Sequence, residues 1–407
     1  MINDDNKHSW CVNACHAMSG MNDGTTKICC MHSAEEHKML LGKDRISEIF
    51  QKNEFLDIRK SLQKGIRHKG CKLCWEEEDA GRKSKRLRDN ERYFYEVETK
   101  DRELYQGIAK LELNLGNTCN IKCRTCRPNI SSTWMKEHYD LHESNNFDSY
   151  KDYASQMKKY HRTYDIDSPF WEDLKNNLKT IKQFDFYGGE PFMSKKMWEI
   201  LNICVERGYA KDIELHYNTN GTLWPKEIEI WKHFKRVNLS FSIDGKEDKF
   251  EYLRYPAKWS IVKKNMKKAQ QLKNANQNMH ISWCITLSSI NIFYLQDTLD
   301  AYYEDFSDFG VFLNLVHYPT HFNISKLPTG VKEAIIDKLN SINDPKQAIL
   351  HQIPGIIGFI SNGNYDKKDW ENFLNYTNIH DTYRNQDFYN IFKEYGEIIN
   401  RIIQENK

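Results

Sequence analysis

The sequence predicts an α/β fold in three parts: a cysteine-rich N-terminal module, a partial (β/α)6 barrel and a helical C-terminal extension. From residue 109 onward, six strand-like segments alternate with helical ones, which indicates a parallel sheet with right-handed crossovers. The strands sort their side chains with a period of two, apolar on one face and polar on the other. Nine of the eleven cysteines lie in the first 126 residues, which distinguishes that part of the chain.

The six predicted strands favour a barrel over a flat sheet. They span 109–115, 183–187, 213–218, 236–243, 280–287 and 310–316, with helices 195–206 and 260–273 after the second and fourth. In the first strand, Leu111 and Leu113 oppose Glu112. A doubly wound sheet would be apolar on both faces, so a curved barrel with a polar, ligand-lined lumen fits the pattern better. The alternative is a half-exposed sheet whose polar face meets solvent.

The expected domain boundaries follow the composition. Residues 1–105 form the cysteine-rich module, 106–330 the barrel and 331–407 the helical extension. Within the module, Asp44 and Gly65 are suitable caps for a helix between them. Within the extension, the pattern predicts helices over 331–342 and 388–403.

Composition and charge exclude several classes of protein. Hydrophobic residues make up 39% of the 407 and aromatic residues 13%, which suits a globular protein with a core. The formal net charge of +2 provides no overall field for nucleic acid or an anionic membrane. No apolar run approaches the roughly 20 residues that span a bilayer, and the N-terminus has no apolar signal-peptide stretch. We therefore expect a cytoplasmic protein.

One stretch of positive charge, residues 82–88, follows an acidic stretch at 76–79. The spacing of Glu78 to Arg82 predicts ion pairs along a solvent-exposed helix. A solvated helix explains this charge better than nucleic-acid binding does, so no nucleic-acid partner is expected.

The strongest chemical signal is the loop after the first barrel strand, where Cys119, Cys123 and Cys126 have the spacing Cys-x3-Cys-x2-Cys. The carboxyl ends of parallel strands are where α/β folds place their sites. Three thiolates this close together can cap three irons of a [4Fe–4S] cluster and leave the fourth iron for an outside ligand. The alternative is zinc, which in structural sites takes four protein ligands.

This loop resembles the signature of radical S-adenosylmethionine enzymes. The resemblance implies a [4Fe–4S] cluster whose open iron binds the amino and carboxylate groups of S-adenosyl-L-methionine. It also implies reductive cleavage of that cofactor to a 5′-deoxyadenosyl radical, which abstracts hydrogen from the substrate. The chain departs from the family at Thr125, where an aromatic residue is often found.

A second motif follows the second strand, where Gly188, Gly189, Glu190 and Pro191 occur in succession. Two glycines let the backbone approach a ligand closely, and Glu190 offers a carboxylate to an ammonium group. Alone, the four residues would be an ordinary turn. They resemble the family's Gly-Gly-Glu-Pro motif, which implies binding of the cofactor's amino group.

Polar residues also end the third and fourth strands. Asn220, Ser242 and Asp244 resemble family segments that contact the ribose and the carboxylate of the cofactor, although such residues also make ordinary turns. Alternation points Cys284 into the polar lumen, where it is a candidate hydrogen-atom donor to a substrate radical. A buried, inert thiol is the alternative for Cys284.

The cysteines before residue 100 suggest a second metal site. The glycine-led Cys29 element and the Cys71-x2-Cys74 element resemble the twitch module, an auxiliary-cluster module related to the SPASM domain, placed here before the barrel. The resemblance implies an auxiliary iron–sulfur cluster on Cys11, Cys29, Cys71 and Cys74. Cys15 or Cys30 is an alternative ligand, and a structural zinc site is an alternative occupant.

The sequence therefore predicts a radical S-adenosylmethionine enzyme that modifies a peptide or protein, with flavodoxin or ferredoxin as the electron donor and no membrane partner. The peptide substrate is implied by the resemblance to twitch and SPASM enzymes. One alternative keeps the chemistry but has a sugar, nucleoside or other small substrate. Another is a non-catalytic binding protein stabilised by zinc.

Overall fold

A single eight-stranded sheet organises the computed structural model, which describes residues 7–33, 45–98, 108–158, 160 and 169–405. The strand order is β2-β1-β3-β4-β5-β6-β7-β8. All neighbouring strands run parallel except the antiparallel pair β1 and β2. The strands are β1 Ala17–Gly20, β2 Thr26–Lys27, β3 Lys110–Asn114, β4 Gln183–Tyr187, β5 Glu214–Thr219, β6 Arg236–Ser242, β7 Met279–Leu287 and β8 Gly310–Leu315.

All six predicted strands are present, as β3 to β8, and the mixed α/β architecture is consistent with a partial barrel. The sheet differs from the prediction because the N-terminal residues add two more strands. Strand β1 pairs with β3 in the register Ala17 to Lys110 and Gly20 to Leu113. At two to four residues, β1 and β2 are too short to show a period of two, so their sequences give no strand signal.

Helices cover the outer face of the sheet. The predicted helix 195–206 is found at those bounds. The helices are α1 Val12–His16, α2 Ile46–Phe50, α3 Asn53–Gln63, α4 Lys72–Asp79, α5 Lys85–Glu98, α6 Met135–His138, α7 Tyr150–Met157, α8 Pro169–Asn177, α9 Lys195–Glu206, α10 Glu247–Leu253, α11 Trp259–Ala275, α12 Leu295–Asp305, α13 Thr329–Asn340, α14 Ile353–Asn362, α15 Lys367–Arg384, α16 Phe388–Ile391 and α17 Lys393–Glu405.

The apolar core lies between the sheet and these outer helices. Phe184 and Phe186 of β4 are buried there with Leu201 of α9. Because successive strand residues point to opposite faces, the intervening Asp185 points into the lumen. The sheet therefore separates an apolar layer outside from polar side chains inside, as the alternation predicted.

Helix α5 supplies the charges that face the polar side of the sheet. Lys85 lies 2.9 Å from the buried carboxylate of Glu112 on β3, and Lys110 lies 3.0 Å from Asp89 on α5. Arg92 pairs with Glu214 on β5. This part of the lumen is therefore filled by ion pairs between the N-terminal residues and the strands.

The predicted exposed helix with a Glu78–Arg82 pair is wrong. Arg82 and Arg86 are buried, and Arg86 lies 2.6 Å from Glu78 while Arg82 lies 3.8 Å from Glu77. The acidic and basic stretches belong to two helices, α4 and α5, which are separated by a turn. A spacing rule for one continuous helix therefore does not apply to them.

The remaining helix predictions need smaller adjustments. The segment after Asp44 is two helices, α2 and α3, and Asp44 itself is outside the described residues. The predicted helix 331–342 is α13, and 388–403 is divided between α16 and α17. Among the described residues, no helix is both long enough and apolar enough to cross a bilayer.

Candidate active site

The three loop cysteines lie together at the carboxyl end of β3. Burial raises the pKa of Cys123, and the neighbouring Cys126 and Cys119 thiolates raise it further. Burial and the Cys119 thiolate raise the pKa of Cys126 to about 11. Mutual repulsion of this kind shows that the three thiols are close to one another, and a cation placed among them would relieve it.

The cysteine loop is held by backbone hydrogen bonds to carbonyl groups at the end of α10 and just after it. The Lys122 N–H donates to the Tyr255 carbonyl at 2.7 Å, and the Arg124 N–H donates to the Leu253 carbonyl at 2.7 Å. On the other side, the Ser131 hydroxyl donates to the Ile121 carbonyl at 2.6 Å. The loop is therefore fixed by elements from two different parts of the chain.

The Gly-Gly-Glu-Pro turn packs directly under the start of this loop. The Glu190 N–H donates to the Thr118 carbonyl at 2.8 Å, and Gly189 has a positive φ of 55°. A Cβ atom on Gly189 would lie 2.2 Å from the Thr118 oxygen, and one on Gly188 would lie 1.6 Å from Asn114 Oδ1. Both glycines are therefore required by close approach as well as by backbone conformation. Pro191 begins the short 3-10 turn that follows.

The Glu190 carboxylate is directed toward the end of β5. It accepts a hydrogen bond from the Thr219 hydroxyl at 2.8 Å and another from the Asn220 N–H at 2.8 Å. Burial raises the pKa of Glu190 to about 7, despite these hydrogen bonds, which lower it. A nearby ammonium group would favour the ionised form of this carboxyl group.

Asn220 connects the β5 end to the cysteine loop. Its amide Nδ2 lies 3.8 Å from the sulfur atom of Cys119 and donates to Asn120 Oδ1 at 2.9 Å. Its Oδ1 accepts from the Thr222 N–H at 2.9 Å, which fixes the side chain. Of the predicted site residues, Glu190 and Asn220 are thus brought together with Cys119.

Arg254 is a site residue that sequence reasoning missed. Its buried guanidinium lies 3.8 Å from the sulfur of Cys123 and forms a 2.7 Å ion pair with Asp244. The Thr286 N–H also donates to the Asp244 carboxylate at 2.9 Å. Asp244 therefore orients Arg254 toward the cysteine loop. The only sequence signal was a lone arginine ahead of Tyr255 and Pro256.

Ser242 and Cys284 are partners in the register between β6 and β7. One step earlier on the same face, the hydroxyls of Ser240 and Ser282 are 2.8 Å apart. Burial and the Asp244 carboxylate raise the pKa of Cys284 to about 11. The structure thus places Ser242 and Cys284 on the lumen side, as alternation predicted, and their roles stay predictions.

Charge interactions link the N-terminal cysteines. Burial raises the pKa of Cys11, and the Cys71 and Cys74 thiolates raise it further. Burial also raises the pKa of Cys29, and the Cys30 thiolate, the Glu112 carboxylate and the Cys11 and Cys74 thiolates raise it further. Cys30 is therefore close to Cys29 as well, and its N–H donates to the Glu112 carboxylate at 2.6 Å.

Cys15 has a different environment from these cysteines. Burial raises the pKa of its thiol, and the neighbouring Arg59 lowers it. Cys15 is thus next to a cation, whereas Cys30 lies beside Cys29, and the choice of the four auxiliary ligands stays a prediction.

A cavity of about 500 Å³ adjoins the candidate site. The ends of the cysteine loop and the Gly-Gly-Glu-Pro turn form one wall, at Thr118 and Glu190. The first turn of α9 forms the other, at Ser194 and Lys195. A ligand in this cavity would contact the start of the cysteine loop and the Gly-Gly-Glu-Pro turn.

The residues that carry this geometry match a known protein family. Residues 113–286 match the model of the Radical SAM superfamily. This stretch is less than half of the chain, and it is similar to Radical SAM superfamily domains. It contains the cysteine loop and the Gly-Gly-Glu-Pro turn, so the match agrees with the resemblance found in the sequence.

Individual proteins that are similar to the chain match only parts of it. A 7-carboxy-7-deazaguanine synthase of Aquifex aeolicus (strain VF5) is 33% identical over 102 residues, which is 25% of this chain and 39% of the relative. The chain thus matches well under half of that protein's length.

Two solved structures also resemble the chain. Native anSMEcpe with bound AdoMet is 16% identical over 57% of this chain and 58% of its own, with a TM-score of 0.36. Streptococcus suis SuiB bound to precursor peptide SuiA is 12% identical over 76% of this chain and 55% of its own, with a TM-score of 0.33.

Proposed function

We propose that this chain is a radical S-adenosylmethionine enzyme with two iron–sulfur clusters that modifies a peptide or protein substrate. The observation that carries the proposal is the convergence of three loop thiols with the Gly-Gly-Glu-Pro turn and Asn220. These groups come from the ends of β3, β4 and β5, inside the matched domain. When bound, the cluster and cofactor supply a 5′-deoxyadenosyl radical for hydrogen abstraction.

Spacing of the thiols favours a cluster over zinc at the barrel site. Tetrahedral zinc with sulfur at about 2.3 Å would bring the sulfur atoms to roughly 3.8 Å from one another. Across the described residues, one set of three ligand atoms lies mutually within 4.8 Å, and that set contains a single thiol, Cys71. A cluster holds its cysteines farther apart because each thiolate caps a different iron.

The chain's own groups prepare the barrel site for an anionic cluster and a zwitterionic cofactor. Cys119, Cys123 and Cys126 would hold three irons, and Arg254 places a fixed positive charge beside Cys123. Glu190 offers negative charge for the amino group of the cofactor's methionine portion. Asn220, Ser242 and Asp244 would contact its polar groups.

The N-terminal site is proposed to hold the auxiliary cluster. Cys11, Cys29, Cys71 and Cys74 are the proposed ligands because charge interactions link their thiols in one group, whereas Cys15 lies beside Arg59. Cys30, which lies beside Cys29, is the alternative ligand. Four protein ligands would close this cluster to a second cofactor molecule. Its proposed role is to bind or exchange an electron with the substrate.

A peptide or protein substrate is supported by the resemblance to twitch and SPASM enzymes and by the cavity beside Glu190. The cavity presents apolar surface at Leu115 and Met193 and charge at Lys195 and Glu199. Walls with both apolar and charged groups suit a peptide substrate, whose side chains differ in polarity. The 33% identity to a synthase named for a deazaguanine product favours a small, nitrogen-rich substrate as the second candidate.

Anaerobic reconstitution tests the chemistry. We expect about eight irons per chain, a paramagnetic signal on reduction, and release of 5′-deoxyadenosine with dithionite and S-adenosylmethionine. The Cys123→Ala variant is expected to lose about four irons and all 5′-deoxyadenosine release. A zinc-loaded, colourless protein that leaves the cofactor intact would contradict the proposal.

The same assay identifies the substrate class. It compares the 5′-deoxyadenosine released with peptides encoded near the chain's gene and the amount released with a panel of purine and deazapurine compounds.

A further inference from the structure

A histidine pair lies at one corner of the N-terminal cysteine site. Ligand atoms of His32, His68 and Cys71 all lie within 4.8 Å of one another. The two imidazole rings are stacked, with centroids 5.8 Å apart and an interplanar angle of 18°. His32 is buried, with 2% of its surface exposed. Among the four thiols of the proposed auxiliary site, Cys71 is thus the one with imidazoles at ligand distance.

The backbone holds His32 in this place. Its N–H donates to the Cys29 carbonyl at 3.1 Å, and the Ser33 N–H donates to the Gly70 carbonyl at 2.9 Å. Gly70 is required because a Cβ atom there would lie 2.1 Å from His32 Nε2. The ring is therefore seated against the residue that precedes Cys71, and it is tied to the segment that carries Cys29.

The two histidines have different roles in this arrangement. His68 Nδ1 accepts the Gly70 N–H at 3.1 Å, so in the neutral ring the proton is on Nε2. A nitrogen that carries a proton has no lone pair for a metal. The Nε2 atom of His32 lies against Gly70, the residue before Cys71, and the His68 ring stacks on the His32 ring, so we take His32 as the ligand.

We propose that the Cys71 corner of the auxiliary cluster is exchangeable and that His32 is its alternative ligand. The inference rests on the proposed second cluster. Iron bound to Cys71 sits about 2.3 Å from its sulfur, so the His32 ring needs only a small shift to reach the metal. Exchange of a thiolate for a neutral imidazole removes one negative charge from the cluster and raises its reduction potential.

The test uses the full chain carrying Cys119→Ala, Cys123→Ala and Cys126→Ala, so that only auxiliary iron is measured. In this background we compare Cys71→Ala, Cys74→Ala and the double variant Cys71→Ala/His32→Ala after anaerobic reconstitution. Iron per chain and nitrogen hyperfine coupling in pulsed EPR are the readouts. Cys71→Ala is expected to keep most of its iron and gain a nitrogen coupling, whereas Cys74→Ala and the double variant lose most of theirs.

Equal iron loss in Cys71→Ala and Cys74→Ala would overturn the inference, as would retained iron in the double variant or one bound zinc without iron. If the background chain itself binds no iron, the second cluster of the proposed function fails, and that result is distinct from selective loss in Cys71→Ala. Cys71→Ser is the second variant should Cys71→Ala fail to fold, because serine preserves the side-chain size. Nitrogen coupling then separates imidazole ligation from ligation by the new hydroxyl.

Discussion

Close backbone approach at Gly189 ties the cofactor turn to the cysteine loop. A side chain at this position would strain a positive φ and would also overlap the Thr118 carbonyl. Gly208 provides a matched comparison, because it has a φ of 72° and nothing within 4 Å of a built Cβ. Comparison of an alanine substitution at each position therefore separates the effect of backbone strain from the effect of steric overlap.

We expect Gly208→Ala to lower the free energy of unfolding by about 1–2 kcal/mol, the strain of a left-handed alanine. Gly189→Ala should lower it by roughly 1–3 kcal/mol more, since overlap adds to strain. Gly189→Ala should also reduce iron binding, whereas Gly208→Ala should not. Urea unfolding and iron analysis measure both effects, and equal losses in the two variants would contradict the role assigned to the close approach.

Arg254 provides the second prediction at this scale. Its positive charge, 3.8 Å from the Cys123 sulfur, favours the cluster state with the additional electron. Arg254→Gln should therefore lower the reduction potential, and a loss of about 1.4 kcal/mol corresponds to about 59 mV for one electron. Arg254→Lys keeps the charge and should shift the potential less. Redox titration followed by EPR gives the answer; an unchanged potential in Arg254→Gln would exclude this electrostatic role.

Residue-level prediction from the sequence was possible where a motif is local. The Cys-x3-Cys-x2-Cys loop and the Gly-Gly-Glu-Pro turn are continuous segments, and each has a recognisable spacing. Arg254 follows Cys123 by more than a hundred residues and contacts it only because the segment after α10 folds back on the loop. No spacing rule connects two such positions, so the contact becomes visible only in three dimensions.

At the scale of elements, helix α5 is held by ion pairs with β3. Lys85 lies 2.9 Å from Glu112, whose side chain is fully buried. Lys110, 3.5 Å from Glu112, compensates part of the buried charge when Lys85 is removed, so the expected destabilisation is about 3 kcal/mol, the low end for a broken buried ion pair. Lys85→Met should therefore lower the free energy of unfolding by about that amount.

The matched control is Lys72→Met, which removes an exposed ion pair with Glu76 on α4. Surface pairs of this type contribute little, and the change should be within about 1 kcal/mol. Combining Lys85→Met with Glu112→Gln should recover part of the loss, because neither charge is then left alone. Similar effects of Lys85→Met and Lys72→Met would show that the α5 contact is not a buried one.

Helix α15 holds the region of the cysteine loop through Glu137 of α6. His380 Nδ1 lies 2.6 Å from the Glu137 carboxylate, Arg384 donates to it at 2.8 Å, and Lys122 of the loop lies 2.6 Å away. Burial raises the pKa of Glu137, but the hydrogen bonds and cations outweigh burial and lower it to about 2.

This shift predicts a dependence of stability on pH. Because the folded pKa is depressed, the Glu137 contribution is present above the ordinary value of 4.5 and is lost as pH falls toward 2. Unfolding of the iron-free chain should therefore show a decline between pH 4.5 and 3 that is smaller in Glu137→Gln. An identical decline in both proteins would assign the acid sensitivity to other carboxyl groups.

The sequence-based element predictions were accurate for amphipathic strands and for α9, whose side chains face one core. They failed for charged segments that are buried against another element. Arg82 and Arg86 look solvated in sequence, yet they are buried because α4 and α5 turn their charges toward each other and toward the barrel. A period-based rule detects charge but not the partner that neutralises it.

At the scale of the whole molecule, the N-terminal residues are part of the barrel sheet. Strand β1 pairs with β3, and α5 neutralises charges on β3 and β5. Residues 106–407 alone should therefore not fold cooperatively, because Lys110 would lose Asp89, Glu112 would lose Lys85, and β3 would lose its sheet neighbour β1. Circular dichroism with thermal unfolding tests this, and a truncated chain that melts like the full one would show that the predicted boundary at residue 105 separates independent units.

The pairing of β1 with β3 also constrains when the protein can fold during its synthesis. Residues 17–20 are translated some ninety residues before their sheet partner at 110–113. Contacts between such distant positions form slowly because the intervening loop must close first. During synthesis, the edge of β1 that pairs with β3 therefore stays unpaired until β3 has left the ribosome.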